Sequence, residues 1–164
     1  MGHHAVVFEA KSKLGGILRY GIPSYRFPRE RLDQDIEVIL STGVEVHLNT
    51  KIGNGEGEVP FNKLREEFDA VYIAIGAHED KKVGIEGEDS KGVISAVEML
   101  GSIGEEIMPD FKDKTVVVIG GGNVAMDCTR SAIRLGAKKV TIAYRRRKSD
   151  MTALPEEIEG AVAE

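Results

Sequence analysis

The feature that most constrains the fold is a glycine-rich stretch at residues 114–127, KTVVVIGGGNVAMD. Its β-branched residues at 115–119 predict a short buried strand, and the glycines that follow predict a tight turn. A helix is predicted from Asn123 to about Leu135, and a second β-branched run at 140–142 predicts another strand. Strand, glycine turn, helix and strand in this order are typical of the phosphate-binding half of a dinucleotide-binding fold.

Each small residue of this turn has a predicted physical role. Gly120 allows the chain to leave the strand sharply, Gly122 leaves room for a pyrophosphate, and Ala125 lets the helix pack close to the strand. Backbone N–H groups at the helix start attract phosphate charge. The residues expected to contact phosphate are Gly120, Gly121, Gly122, Asn123 and Val124. The alternative is a tight turn that binds no ligand.

A basic cluster follows the second predicted strand. Arg145, Arg146, Arg147 and Lys148 occupy the place where an acidic residue would bind the ribose of NAD. Guanidinium groups suit the doubly charged 2′-phosphate of NADP(H), so the sequence favours NADP(H) over NAD(H) at this unit. The alternative is a charged turn that only contacts solvent.

A second, earlier strand is predicted at residues 4–8, and it ends in an acid, Glu9. An acid at this position accepts hydrogen bonds from the ribose hydroxyls of FAD or NAD. Comparison with the later unit leads us to expect that the chain starts inside a βαβ unit whose first glycine loop precedes residue 1. We likewise expect the second sheet to continue beyond residue 164. The alternative for residues 6–8 is an edge strand of an unrelated fold.

The remaining elements are predicted from periodicity, glycine and proline. We expect a long ordered loop at 13–28, helices at 29–42 and 61–68, strands at 44–48 and 69–75, a linker at 78–92, a short helix from Ser95 to about Leu100, and a helix start at Pro155. The predicted organisation is a partial FAD-binding unit (1–80), a crossing segment (81–113) and the first half of an NADP(H)-binding Rossmann unit (114–164).

Composition excludes several function classes. The net charge of −5 does not suggest a nucleic-acid partner, and no apolar run predicts a membrane span. The single cysteine, Cys128, fits a reducing, cytoplasmic compartment and is predicted to be a core residue rather than a nucleophile. No metal-ligand spacing or hydrolase triad is present, so no catalytic side chain and no metal site are predicted.

Six motifs in order, which together cover essentially the whole chain, resemble the glutamate synthase small (beta) subunit family and related NADPH-dependent flavoprotein electron-transfer subunits. The flavin portion of dihydropyrimidine dehydrogenase is similar too. These motifs are VFEA at 7–10, LGG at 14–16, YGIPSYRFP at 20–28, AIGA at 74–77, VVIGGGNVAMD at 117–127 and YRR at 144–146.

The resemblance implies an α/β fold of the glutathione-reductase type, with two partial Rossmann-like dinucleotide-binding units, in which NADPH reduces FAD. The residues implied to contact FAD are Glu9, Ala10, Leu14, Gly15, Gly16, Arg26, Ile52, Ala74 and Gly76. Gly121 to Val124 are implied to bind the NADP pyrophosphate, and Arg145 with Arg146 the 2′-phosphate. Relatives similar to dihydropyrimidine dehydrogenase carry another arginine at the place of Thr152, so a third contact could come from Arg147.

The implied partners are an iron–sulfur domain or subunit that accepts electrons and, in glutamate synthase itself, the large subunit. Two rival hypotheses are an NADP(H)-binding module without turnover and a truncated product without a function of its own.

We also expect Asp127 to brace the glycine turn.

Overall fold

A computed structural model of the protein describes residues 2–164, and within them the chain forms two compact units. The first unit comprises residues 2–19 and 27–77, and the second comprises residues 20–26 and 78–164. The units are defined by packing and not by ligands. The division into FAD-binding and NADP(H)-binding parts therefore stays a prediction.

The first unit is built on a parallel pair of short strands. Strand β1 (Val6–Phe8) pairs with β2 (Glu45–His47), with Val7 opposite Val46. Between them the chain forms α1 (Gly16–Tyr20), whose last residue belongs to the second unit, and α2 (Arg29–Leu40). Helix α3 (Phe61–Glu67) follows, and Phe8 contacts both Phe68, edge to face, and His47, in a stack.

The second unit contains the predicted strand–turn–helix–strand motif. Strand β3 (Thr115–Ile119) pairs in parallel with β4 (Lys139–Ala143), and α5 (Asn123–Arg134) connects them. Helix α4 (Ala96–Gly104) precedes the motif, while a short 3-10 helix (Lys148–Asp150) and α6 (Pro155–Ala163) follow it. Parallel strands joined by a helix confirm the α/β class predicted from the sequence.

The core of the second unit lies between α5 and its neighbours. The alternate side chains of β3 and β4 that face α5 are half-buried, while the opposite face of both strands is exposed. The buried residues form two hydrophobic clusters, and Met126, which is fully buried, belongs to the second. One cluster joins Met99, Leu100, Phe111, Cys128 and Ala132, and the other joins Ala125, Met126 and Ala153. Burial at 3% exposure confirms that Cys128 is a core residue.

Two predictions of secondary structure are wrong. Residues 69–75 do not form a strand; they are exposed, with Tyr72 at 92% and Ile75 at 77%. A strand requires a hydrogen-bonded neighbour, and none pairs with this segment within residues 2–164. The predicted loop at 13–28 contains α1, which is too short to show a helical period in the sequence.

Helix α2 forms where it was predicted, but its apolar face is only partly covered. Leu32 is buried, whereas Ile39 is 58% exposed.

Across residues 2–164 no helix is long and apolar enough to cross a membrane. The same residues contain no group of three or more His, Cys, Asp or Glu side chains that could hold a metal ion.

Candidate dinucleotide site

The glycine turn between β3 and α5 depends on the absence of side chains at two positions. Gly120 has a φ of +149°, and a Cβ atom there would lie 3.3 Å from the Cβ of Ala125. A Cβ on Gly121 would lie 2.7 Å from the ring of Tyr144, closer than real Cβ contacts allow. The predicted sharp turn at Gly120 and the close approach at Ala125 are therefore both present.

The turn is fixed from behind by the segment that leads into α6. The carbonyl of Gly121 accepts hydrogen bonds from the backbone N–H groups of Thr152 and Ala153, each at 3.0 Å. The Asn123 Oδ1 accepts a hydrogen bond from the Leu154 N–H at 2.8 Å. The Tyr144 hydroxyl donates to the carbonyl of Asp150 at 2.9 Å. These bonds hold the turn in one conformation before any ligand arrives.

The start of α5 is open to an anion. Gly122 is the N-cap residue, and no side chain among residues 2–164 caps the first turn. The Asn123 Oδ1 is occupied by the Leu154 N–H, whereas the backbone N–H of Asn123 is available to a ligand. A Cβ atom added to Gly122 would have only the Thr152 hydroxyl oxygen near it, at 3.5 Å. Uncapped N–H groups beside such an open position fit a pyrophosphate, as the sequence predicts.

Basic residues follow the end of β4, which lies beside this turn. The Gly120 N–H donates to the Ala143 carbonyl at 3.0 Å, so the two strand ends lie side by side. Arg145 and Arg146 follow after Tyr144; they are exposed, and neither pairs with a carboxylate within the described chain. Arg147 differs, because its Nε and Nη2 atoms bind the Asp150 carboxylate at 3.1 and 3.2 Å.

Helix α5 also carries a buried ionic network that the sequence did not predict. Arg26 Nη1 binds both carboxylate oxygens of Asp127, at 3.1 and 2.9 Å, and its Nη2 binds Glu157 Oε1 at 2.9 Å. Asp127 therefore does not brace the glycine turn as expected, because its carboxylate lies one helical turn further on and is directed to Arg26. Burial raises the Asp127 pKa, against the opposing effect of the Arg26 charge.

Tyr25 extends this network along the same helix. Its ring lies under the guanidinium groups of Arg134 and Arg130, at 3.9 and 4.6 Å from the ring centroid. Burial, followed by the nearby Asp127 charge, raises the Tyr25 pKa to about 12. Residues 25 and 26 thus contact one face of α5 through two consecutive side chains.

The site residues predicted in the first unit are less organised. Glu9 Oε1 accepts a hydrogen bond from the Lys11 N–H at 2.8 Å, and the Glu9 carbonyl accepts from the Thr50 N–H at 2.8 Å. Ala10 lies in an exposed turn after β1. These contacts stabilise the turn after β1 and leave the second carboxylate oxygen of Glu9 available to a ribose. The predicted ribose contact stays a prediction.

The turn at Leu14, Gly15 and Gly16 packs against α2. The Leu14 carbonyl accepts a hydrogen bond from Arg19 Nε at 2.5 Å. A Cβ on Gly15, whose φ is +126°, would lie 2.8 Å from the Leu32 side chain. Gly15 is therefore required for close packing of this turn, whether or not FAD lies beside it.

Two further predicted FAD contacts lie later in the first unit. Ile52 forms a parallel bridge with Val59 that uses the Lys51 carbonyl and the Gly53 N–H. The backbone groups of Ile52 itself therefore point to the other side of this ribbon. Ala74 lies in the exposed segment that was predicted to be a strand, and Gly76 follows this segment with a φ of +70°.

Sequence reasoning missed three features of the second unit: the Tyr144 ring against Gly121, the backbone clamp from residues 152–153, and the Arg26–Asp127 pair. The position of Tyr144 directly after a strand that adjoins the turn could have indicated the first. No local signal indicates the other two, because each joins residues more than 25 positions apart.

Comparison with known proteins gives one family and many relatives. The family model described as pyridine nucleotide-disulphide oxidoreductase matches residues 4–164. The chain is 43% identical over 165 residues to the NADP(+)-dependent formate dehydrogenase subunit beta of Moorella thermoacetica, covering 99% of this chain and 23% of that protein. It is 35% identical over 170 residues to the glutamate synthase [NADPH] small chain of Escherichia coli K12, covering 98% of this chain and 35% of that protein.

A solved structure supports the same fold. FprA of Mycobacterium tuberculosis, in complex with NADPH, superposes with a TM-score of 0.80 at 25% identity. The match covers 98% of this chain and 40% of that one. The chain thus spans about a quarter to two fifths of the length of these relatives.

Proposed function

Because the chain belongs to the pyridine nucleotide-disulphide oxidoreductase family, we propose that it forms the NADP(H) site and part of the FAD site of a flavoprotein oxidoreductase. The family assignment and the NADPH-bound structural neighbour bear out the predicted cofactors, FAD and NADP(H). When bound, these cofactors supply hydride transfer, and the protein supplies binding, orientation and electrostatics.

The observation that carries the proposal is the pairing of an uncapped helix start with two arginines that have no carboxylate partner in the described chain. Gly121, Gly122 and the N–H groups of Asn123 and Val124 would hold the pyrophosphate. Arg145 and Arg146 would bind the 2′-phosphate. Since Arg147 is bound to Asp150, a third contact from Arg147 would require that ion pair to open.

For the electron acceptor, we propose an iron–sulfur domain or subunit, as the sequence resemblance implies. The names of two relatives support an electron-transfer role, one as a formate dehydrogenase subunit and one as a glutamate synthase small chain. The glutamate synthase large subunit is therefore one candidate partner, and the identity values favour the formate dehydrogenase type of assembly over it.

The second candidate function is an NADP(H)-binding module without turnover of its own. The exposed, unpaired segment at residues 69–77 favours it, because this segment contains the predicted FAD contacts Ala74 and Gly76. Retention of FAD at one equivalent by the purified protein, seen as visible flavin absorbance, would support the oxidoreductase. Tight NADP+ binding without flavin would support the module.

The proposal is tested by calorimetric titration of NADP+ and NAD+ into the protein and its Arg145→Ala/Arg146→Ala variant. Each charge-assisted bond contributes about 1.5–3 kcal/mol, so we expect NADP+ affinity to fall by roughly a hundredfold or more. NAD+ affinity should stay within about twofold. Lys139→Ala, at the opposite end of β4, is the matched control and should change neither affinity. Equal losses for both nucleotides would contradict the assignment.

A further inference from the structure

Residues 20–26 form a strap, as we call this segment, that packs in the second unit although the chain on either side of it belongs to the first. Its last two residues, Tyr25 and Arg26, contact Asp127, Arg130 and Arg134 of α5. These three positions follow the spacing i, i+3 and i+7, so they lie on one face of the helix. The strap is therefore fixed to the helix that begins at the glycine turn.

The central contact of the strap is a buried ion pair. The Asp127 side chain is 5% exposed and the Arg26 side chain 23% exposed. Glu157 of α6 is shared between Arg26 and Arg130, at 2.9 and 3.3 Å. Glu164 binds Arg130 and Arg134, at 2.8 and 2.7 Å. The network thus contains three guanidinium groups and three carboxylates, which balances its charge.

The position of Asp127 would be unfavourable without Arg26. Asp127 lies four residues after Asn123, which corresponds to about 6 Å along the helix axis. An uncompensated carboxylate there would repel an anion at the uncapped N-terminus and oppose the attraction of the helix dipole. The sequence nevertheless places the carboxylate there, where it anchors the strap.

We propose that Arg26 is a positioning residue for the dinucleotide, because its charge cancels that of the Asp127 carboxylate behind the glycine turn. This inference rests on the proposed NADP(H) site. The proposed role differs from the FAD contact that the resemblance implies for Arg26, because here Arg26 neutralises a charge behind the NADP(H) site.

The test compares NADP+ affinity, measured by calorimetry, in the protein and in Arg26→Ala, Asp127→Asn and the double variant. Arg26→Ala should weaken binding roughly tenfold, the size of one unit charge acting over about 10 Å at an effective dielectric constant near 20. Asp127→Asn should not weaken binding, and Arg26→Ala/Asp127→Asn should recover most of the loss. A purely structural ion pair predicts instead that both single variants and the double variant weaken binding.

The pH dependence of NADP+ affinity distinguishes further between an electrostatic role of Arg26 and a purely structural ion pair. The ionisable groups near Asp127 are Arg26 and Tyr25 of the strap, Arg130 and the Cys128 thiol of α5, and Glu157 of α6. Without Arg26, Asp127 should protonate at a higher pH, so the ratio of affinities between the protein and Arg26→Ala should shrink as pH falls. For the double variant, the ratio of its NADP+ affinity to that of the unsubstituted protein should not change with pH. A ratio that still changed with pH would assign the pH dependence to Glu157 and overturn the proposal.

Several outcomes distinguish failure of the inference from failure of the proposed function. If the unsubstituted protein does not bind NADP+, the proposed function fails and the inference falls with it. If the protein binds NADP+ and Arg26→Ala binds equally well, only the inference is overturned. If Arg26→Ala does not fold, as judged by circular dichroism, Arg26→Lys loses the bidentate geometry but keeps the charge beside Asp127, so it should bind within about threefold of the protein. A tenfold loss in that folded variant would overturn the electrostatic role.

Discussion

The glycine turn of the second unit and the predicted flavin contacts of the first unit differ in how far the chain itself organises them. Around Gly121, hydrogen bonds from residues 152–154 and the Tyr144 ring fix the turn from behind and leave the helix start open. In the first unit, Glu9 is held by a local turn, while Ala74 and Gly76 lie in an exposed segment. A site that is preorganised by its own unit should bind its ligand with a smaller entropy cost.

Among single substitutions, the largest effect is expected from Gly121→Ala. The added Cβ would lie 2.7 Å from the Tyr144 ring, whose hydroxyl is held by Asp150, so the turn must distort. Overpacking of this kind costs about 1–3 kcal/mol of folding stability, and we expect calorimetric NADP+ binding to fall by about a hundredfold.

The matched control for that change is Gly101→Ala. Gly101 lies inside α4, where the nearest atom to an added Cβ is the Tyr20 carbonyl oxygen at 3.9 Å. Alanine should stabilise this helix by about 0.5–1 kcal/mol in chemical denaturation and leave NADP+ binding unchanged. Tight NADP+ binding by Gly121→Ala would show that the turn is not the nucleotide site.

Glu9→Ala tests the other side of the comparison. Loss of the carboxylate removes the proposed ribose contact, so the affinity of the protein for FAD should fall roughly tenfold, the value of one hydrogen bond to a charged group. NADP+ affinity should not change. Lys11→Ala, on the neighbouring exposed residue, is a control that leaves the Glu9 carboxylate in place. An undiminished flavin content in Glu9→Ala would remove Glu9 from the proposed site.

The stability that the contact between α5 and α6 contributes should depend on pH. Hydrogen bonds from Arg134 and Arg130 lower the Glu164 pKa to about 2. A depressed carboxylate pKa contributes stability that is complete above its unfolded value and is lost as pH falls towards 2. The melting temperature should therefore drop between about pH 4.5 and pH 2.

Glu164→Gln is the variant that isolates this contribution. It should lower the melting temperature near neutral pH and make it less dependent on pH in the acid range. Glu159→Gln, which lies on the exposed side of α6, should behave like the unsubstituted protein. An unchanged acid profile in Glu164→Gln would assign the pH dependence to other carboxylates.

The smallest effect is expected in the reactivity of the Cys128 thiol. Burial, and then the nearby Asp127 charge, raises the Cys128 pKa to about 12, so little thiolate forms at neutral pH. The thiol should react with a disulfide reagent only as fast as the second unit opens, and saturating NADP+ should slow the reaction. Rapid labelling of the folded protein would contradict the buried position.

The sequence predicts the second unit well because its information is local. The β-branched runs and glycines of residues 114–143 specify both strands, the turn and α5 within a few positions. Helix α6 begins at Pro155 as predicted, since proline favours the first helical turn. The strap's partners could not be predicted, because Arg26 and Asp127 are 101 positions apart and no periodic pattern links them.

The first unit shows where such reasoning fails. The apolar pattern at 69–75 reads as a buried strand, yet a strand forms only when a neighbouring strand completes its hydrogen bonds. The predicted site residues are present at the expected turns after β1 and before α1. Which of them contact FAD depends on packing that a local pattern does not contain.

We propose that the glycine turn of the second unit, with Arg145 and Arg146, binds NADP(H). The most direct measurement is an NMR titration of the isotope-labelled protein with NADP+, followed through assigned backbone amides and arginine side chains. We expect the largest shifts at the amides of Gly121, Gly122 and Asn123, with guanidinium shifts that NAD+ does not produce. Shifts concentrated instead around Glu9 and residues 14–16 would contradict it.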